Sequence, residues 1–327
     1  MTADMLTIPG IAKPASRIAL GTWAIGGSMW GGPDDENAAR TIDKALDLGI
    51  NVIDTAPVYG FGHSEEVIGR ALEGKRGRVI LATKVALNWQ DGKVFRDSRP
   101  ARIEQEIEDS LRRLRTDHID LYQVHWPDPK TPLEDTARAL EKLVKAGKVG
   151  ALGVSNFSPA QMEEFRKFAP LATIQPPYNL FEREIEKDVL PYAVQNNLVV
   201  LAYGPLCRGL LSGRMTADRK FGGDDLRNSD PKFQQPRFGQ YLQAVEDLKA
   251  IADKHGKSML ALAIRWVLDR GPTIALWGAR KPEQISGVDD AFGWTLDDAD
   301  MKAIDGILTR DITDSVGPEF MAPPARD

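Results

Sequence analysis

The chain has 327 residues, 42% of them apolar and 27% charged, with a net charge of −5 and one cysteine, Cys207. That length suits two average domains or one large α/β barrel, and it buries roughly three quarters of the unfolded surface without staples. The acidic balance argues against a nucleic-acid or anionic-membrane partner, and a lone cysteine allows no intramolecular disulfide, so a small-molecule partner and a reducing, cytoplasmic compartment are expected.

The N-terminus, MTADMLTIPG, lacks a basic run followed by a long apolar run, and no stretch approaches about 18 uninterrupted apolar residues. Neither export nor membrane insertion is expected. Residues 6–12, ahead of Pro14, read as a short capping hairpin, and RIALGTW (17–23) as the first strand. DDENAARTIDKALDL (34–48) places Ala38, Ile42, Ala45 and Leu46 on one helical face, with Gly49 as the stop. In GINVIDTAPVYGFGHSEE (49–66) an apolar strand delivers Asp54 and then Tyr59 on one short loop, and Ser64 reads as the N-cap of the next helix.

Further strands are expected at RVILATK (78–84), HIDLYQVHW (118–126), KVGALGVSN (148–156), LATIQ (171–175), NLVVLAYG (197–204) and PTIALWG (272–278), eight in all. Helical patterns separate them at 64–72, 99–114, 133–145, 159–168, 185–195 and 258–268, the second with Ile103, Ile107, Leu111 and Leu114 on one face. Eight apolar strands alternating with helices predict a closed parallel barrel in a single domain, 1–327, with an open doubly wound sheet as the rival. Two features break the rhythm. Residues 205–257 form a long insertion after the seventh strand, rich in glycine, proline and charge and ending in a helix over 237–254; it reads as a candidate lid or as surface decoration. After the eighth strand come helices from Glu283 and over 297–308, then a polar tail.

The strand ends carry the chemistry. In order they present Trp23; Asp54 and Tyr59; Lys84; His125 and Trp126; Ser155 and Asn156; Gln175; Tyr203; and Gly278, Ala279 and Arg280. In a closed barrel these converge on one face, as catalytic groups must. Each also has a bland reading: Asp54 as a turn cap, Lys84 as a structural ion-pair partner, His125 as a satisfied core residue. An acid, a tyrosine, a lysine and a histidine at successive strand ends are harder to dismiss together.

GTWAIGG, DTAPVYGFGHSEEVIG, ATK, LYQVHW, GVSN and QPPYNLFER, in that order between Arg17 and Leu308, resemble the aldo-keto reductase superfamily, and within it the bacterial branch of general-stress reductases and glycerol or glyceraldehyde dehydrogenases. The resemblance implies a (β/α)8 TIM barrel, NADPH bound without a Rossmann domain, and a catalytic tetrad of Asp54, Tyr59, Lys84 and His125. Tyr59 is the expected proton donor, with Lys84 lowering its pKa, Asp54 compensating Lys84, and His125 orienting the carbonyl. The expected pocket walls are Trp23, Trp30 and Trp126, with Asn88, Trp89 and Gln90 adding polar contacts.

The family's nicotinamide amide ligands fall on Ser155, Asn156 and Gln175, with Tyr203 stacking on the ring. Gly204, Pro205, Leu206 and Arg208 are expected over the pyrophosphate, with Leu211 and Ser212 nearby. Gly278, Ala279, Arg280, Lys281 and Gln284 are expected at the 2′-phosphate, helped by a helix N-terminus. The chain departs from the pattern at Gly287 and Val288, where many relatives carry a glutamate and an asparagine on the adenine, so NADPH is preferred while NADH stays open.

Two nucleotide motifs are decoys: Gly60-Phe61-Gly62-His63-Ser64-Glu65 lacks the third glycine of a dinucleotide fingerprint, and Gly256-Lys257-Ser258 lacks the first glycine of a P-loop, where Ile251 stands. No second histidine or carboxylate pair stands at metal-ligand spacing with Asp54 and His125, so no metal is expected. The rival functions are a nucleotide-sensing regulatory subunit, similar to potassium-channel β-subunits, and a metal-dependent barrel hydrolase.

Overall fold

The computed structural model describes residues 4–326. Eight parallel strands close into a barrel: β1 (Ile18–Gly21), β2 (Val52–Asp54), β3 (Ile80–Val85), β4 (Ile119–Val124), β5 (Val149–Ser155), β6 (Thr173–Gln175), β7 (Val199–Tyr203) and β8 (Thr273–Gly278). Their order follows the chain, and β8 returns to β1 with Leu276 beside Ala19 and Gly278 beside Gly21. That closure removes the rival open sheet.

Alternation along each strand divides the core in two. Ala19, Val52, Ala82, Leu121, Leu201 and Ile274 fill the barrel, whereas Ile53, Leu81, Tyr122 and Val200 point outward under the helices. Both faces are buried, which is why the strands read as continuous apolar runs.

The helical layer comprises α1 (Asp35–Asp47), α2 (His63–Ala71), α3 (Pro100–Leu114), α4 (Leu133–Lys145), α5 (Pro159–Arg166), α6 (Val189–Gln195), α7 (Arg237–Lys254), α8 (Met259–Leu268), α9 (Pro282–Ile285) and α10 (Asp298–Asp311). α3 buries the stripe its periodicity predicts, Ile103, Ile107, Leu111 and Leu114 included, whereas α8 is buried on nearly every side.

Several boundaries differ from the sequence reading. Gly62, in the left-handed region at φ 101°, caps α2; Ser64 lies inside the helix with its hydroxyl 3.1 Å from the Thr22 carbonyl oxygen and 3.0 Å from the Thr55 hydroxyl. A buried hydroxyl with tertiary partners leaves the cap to the backbone. The N-terminal hairpin pairs Met5–Leu6 with Ala15–Ser16 around its expected span, and its loop inserts Ile8 and Ile11 into the barrel core, plugging one end. The helix expected over 185–195 is a 3-10 turn at Glu184–Glu186 followed by α6. The helix expected from Glu283 has only four residues.

A second hairpin, Leu87–Gln90 with Lys93–Arg96, follows β3 in a stretch to which the sequence pattern assigned no element. Its turn uses Asp91 and Gly92, both at positive φ (50° and 75°), as a tight two-residue hairpin connection requires.

The long insertion folds as short 3-10 turns leading into α7. It clasps the loop after β1: the Met29 amide donates to Asp224 Oδ2 at 2.7 Å, and the Leu226 amide donates to the Met29 carbonyl at 3.0 Å. The tail after α10 crosses to the second hairpin, where the Arg96 amide donates to the Pro324 carbonyl at 3.0 Å and Arg96 Nε to the Pro323 carbonyl at 2.8 Å.

Candidate active site

Asp54 ends β2, and after Thr55, Ala56, Pro57 and Val58 the loop presents Tyr59. The loop is held by backbone crowding: a Cβ on Gly60, at φ 65°, would stand 2.2 Å from the Gly26 carbonyl oxygen, and one on Gly26 would stand 2.5 Å from the Tyr59 carbonyl carbon. Only glycine allows that approach. The glycines therefore serve the placement of Tyr59.

Lys84, from β3, is fully buried. Its ammonium donates to Asp54 Oδ2 at 2.6 Å, to the Thr55 carbonyl at 2.9 Å and to Tyr59 Oη at 3.1 Å, which uses all three of its hydrogens. Asp54 Oδ1 accepts from Gln123 Nε2 and Gln175 Nε2, each at 3.0 Å. His125 follows β4 and meets the Tyr59 ring edge-on at 5.7 Å, while Trp23 stacks against the same ring at 6.0 Å. The expected four residues are together.

Their charges follow from their surroundings. Burial pushes the Tyr59 phenol up; Lys84 opposes this and Asp54 reinforces it, and the balance lies above the ordinary value. Lys84 does bring the phenol down, as expected, but desolvation outweighs one ammonium that is already paired, and the net shift is upward. Tyr59 is thus fully protonated at neutral pH. Burial opposes the Lys84 charge, but Asp54 and Tyr59 outweigh it and raise the ammonium above its usual range. Burial, aided by Lys84, holds His125 well below its ordinary value, so its imidazole is neutral.

Asp54, Tyr59 and His125 open onto a cavity of about 840 Å³ whose lining includes Ser155, Asn156, Gln175, Tyr203, Gly204, Pro205, Leu206, Ser212, Gly278, Ala279, Arg280 and Gln284. Tyr203 Oη donates to Asn156 Oδ1 at 3.0 Å; Asn156 Nδ2 donates to Ser155 Oγ at 3.0 Å and to the His125 carbonyl at 3.1 Å. Trp23, Trp30 and Trp126 form aromatic wall, with Trp23 and Trp30 edge to face at 5.6 Å. Arg214, Arg219 and Arg280 line the same space, and none makes an ion pair among the described residues. Amide donors and acceptors, an aromatic wall and uncompensated guanidinium groups fit a nicotinamide dinucleotide.

Several expected contacts are not available to a ligand. Leu211 is fully buried in the hydrophobic core and does not line the cavity. Arg208 reaches the lining, but its guanidinium is already paired with Asp230 and, at 2.5 Å, with Glu182, so its charge is spent on the fold. Lys281 is exposed beside the cavity, and the Arg280 and Lys281 amides already bond to Gln284 Oε1 at 2.9 and 3.1 Å. α9 has only four residues, too few for the expected helix N-terminus to favour a phosphate there. Trp89 packs on Phe61 and under Arg102, away from the lining, and Asn88 turns to Asp97.

The sequence reading missed Gln123, although a lone amide within the apolar strand IDLYQV was a visible signal. It also missed Val94 from the second hairpin, Arg214 and Met215 from the insertion, and Met321, Pro323 and Pro324 from the tail, all on the cavity lining. Nothing local in those segments marks them.

A closed parallel barrel with this constellation at its strand ends defines an oxidoreductase class, and the chain belongs to the aldo/keto reductase family, whose profile matches residues 17–309. It is an NAD(P)H-dependent oxidoreductase. The aldo-keto reductase YhdN of Bacillus subtilis (strain 168) is 60% identical over 317 residues, covering 96% of each chain. The solved glycerol dehydrogenase AKR11B4 from Gluconobacter oxydans is 63% identical with a TM-score of 0.91, covering 98% of this chain and 100% of its own. The NADH-specific methylglyoxal reductase of Escherichia coli (strain K12) is 35% identical over 302 residues, covering 87% of this chain and 92% of that one.

Proposed function

We propose that the protein reduces short aldehydes and ketones, hydroxylated ones such as glyceraldehyde included, with NADPH, and runs in reverse as a polyol or glycerol dehydrogenase. The observation that carries this is the chain from Tyr59 Oη to Lys84 Nζ at 3.1 Å and on to Asp54 Oδ2 at 2.6 Å, opening onto the cavity.

Reduction of a carbonyl needs a hydride on carbon and a proton on oxygen. A bound nicotinamide cofactor supplies the hydride. Ser155, Asn156 and Gln175 suit its amide, Tyr203 its ring, and Arg280 its phosphates. Tyr59 gives its phenolic proton to the carbonyl oxygen, and Lys84 stabilises the tyrosinate left behind. Asp54 keeps the buried ammonium compensated as that charge moves. The neutral His125 imidazole donates a hydrogen bond that fixes the carbonyl oxygen beside Tyr59.

A short hydroxylated substrate is supported by the likeness to a glycerol dehydrogenase and to a methylglyoxal reductase. The uncompensated Arg280 supports NADPH, and the relative specific for NADH makes the comparison worth running. The test is a panel of short aldehydes, ketones and polyols with both nucleotides, repeated on Tyr59→Phe. The variant should lose about 10²- to 10⁴-fold in kcat while binding NADPH normally; a variant with near-full activity would sink the assignment.

A further inference from the structure

Gln123 is fully buried in β4, does not line the cavity, and is flanked by apolar residues along its strand. Burying an amide costs free energy unless its hydrogen bonds are replaced, and here they are. Nε2 donates to Asp54 Oδ1 at 3.0 Å, and Oε1 accepts from Gln175 Nε2 at 3.1 Å. Gln175 Nε2 also donates to Asp54 Oδ1 at 3.0 Å. The carboxylate only accepts, so the amide of Gln123 has one orientation that satisfies both neighbours.

The barrel makes room for this reach. Gly153 is the register partner of Gln123 on β5 and of Thr173 on β6. A Cβ on Gly153 would stand 2.9 Å from Gln123 Cγ and 2.2 Å from Thr173 Oγ1. The missing side chain lets Gln123 cross toward β6 and Gln175.

We propose that Gln123 is a positioning residue for this reaction, coupling the amide of Gln175 at the cofactor cavity to the carboxylate of Asp54 that backs Lys84 and Tyr59. The two amides hold Oδ1, which leaves Oδ2 aimed at the Lys84 ammonium. Movement of Gln175 is thereby transmitted to the proton donor's support. The charged and titratable groups facing this network are Asp54 from β2, Tyr59 from the loop after it, Lys84 from β3 and His125 beyond the end of β4. From β5 and β6 it is met by Gly153, Thr173 and Gln175, which do not titrate. The inference rests on the reading of Tyr59 as proton donor.

Two variants test it. Gln123→Met keeps the volume and removes both hydrogen bonds; kcat should fall about tenfold, the size of one hydrogen bond to a charged group, with substrate KM nearly unchanged. NADP⁺ affinity, read by tryptophan fluorescence without turnover, should weaken several-fold because Gln175 loses its acceptor. Gln123→Glu faces Asp54 with a second carboxylate, and such a pair takes up one shared proton. Its kcat relative to the parent should therefore rise as pH is lowered from about 9 to 6, while the Gln123→Met ratio stays flat.

A purely structural role would lower the melting temperature and leave both kcat ratios independent of pH. A pH-independent ratio for Gln123→Glu, or parental kcat and NADP⁺ affinity in Gln123→Met, overturns the proposal. If Gln123→Met does not fold, the near-isosteric Gln123→Glu carries the pH test alone. Parental activity in Tyr59→Phe would instead remove the underlying donor assignment, whereas loss there with parental behaviour of both glutamine variants removes only this inference.

Discussion

Lys84 and Asp54 meet at 2.6 Å with side chains 0% and 3% exposed, each supplying the counter-charge the other needs inside the barrel. The pair is held on adjacent strands, with Asp54 in register with Ala82, two residues before Lys84. Burying both charges consumes most of what their attraction returns, so the pair is a weak source of stability. Its members are nonetheless strongly dependent on one another.

Lys84→Met should therefore cost about 3–5 kcal/mol in urea unfolding, because a carboxylate is left buried without its cation. Adding Asp54→Asn should recover part of that loss. A double variant whose cost equals the sum of the single ones would show that the two residues are energetically independent.

His125 makes stability depend on pH. In the unfolded chain it protonates near 6.5, whereas burial and the Lys84 ammonium keep the folded imidazole neutral well below that. The unfolded state takes up the proton first, so this contribution is complete above 6.5 and is lost as pH falls from there toward the depressed folded value. Melting temperature should drop with acidification more steeply in the parent than in His125→Gln. Parallel curves would contradict the assignment of this slope to His125.

Arg280 donates to the Gly32 carbonyl at 3.0 Å and keeps its remaining guanidinium hydrogens for the cavity. Under the proposed preference for NADPH, Arg280→Ala should lower the NADPH-over-NADH ratio of kcat/KM by roughly tenfold to a hundredfold, the range of a charged hydrogen bond. NADH kinetics should barely move. Equal losses with both nucleotides would place the arginine at a group they share.

Arg208 bridges Glu182 and Asp230, and Lys232 adds a contact to Glu182 at 2.8 Å, so two cations and two anions lock the insertion to the barrel. All four side chains are at most 4% exposed. Asp230→Ala should cost about 3–5 kcal/mol by leaving Arg208 half-paired. Limited proteolysis within 213–236 should accelerate as the clasp on Met29 loosens. Unchanged cleavage there would mean that the insertion is held by its apolar contacts instead.

The sequence by itself determined the barrel and the identity of the polar strand ends. Alternating apolar strands and helices, each long enough to carry its own periodic signal, specify which faces are buried, and α4 and α7 run where that period placed them. Asp54, Lys84 and His125 were legible because each stands at or near the end of an apolar strand run, and Tyr59 because it follows Asp54 on one short loop. What only the tertiary structure decided is which of these groups have spare valence. Arg208 carries the right charge, but Glu182 and Asp230 consume it; Leu211 has the right position, but it turns into the core.

The direction of the Tyr59 shift belongs to the same class, since desolvation depends on everything packed around the phenol and the sequence displays only its charged neighbours. The cavity walls from the insertion and tail are the furthest from sequence. Met29 and Asp224 lie 195 residues apart, and Arg96 and Pro323 lie 227 apart. Such contacts are fixed by where the closed barrel brings the chain back, and no local pattern records them.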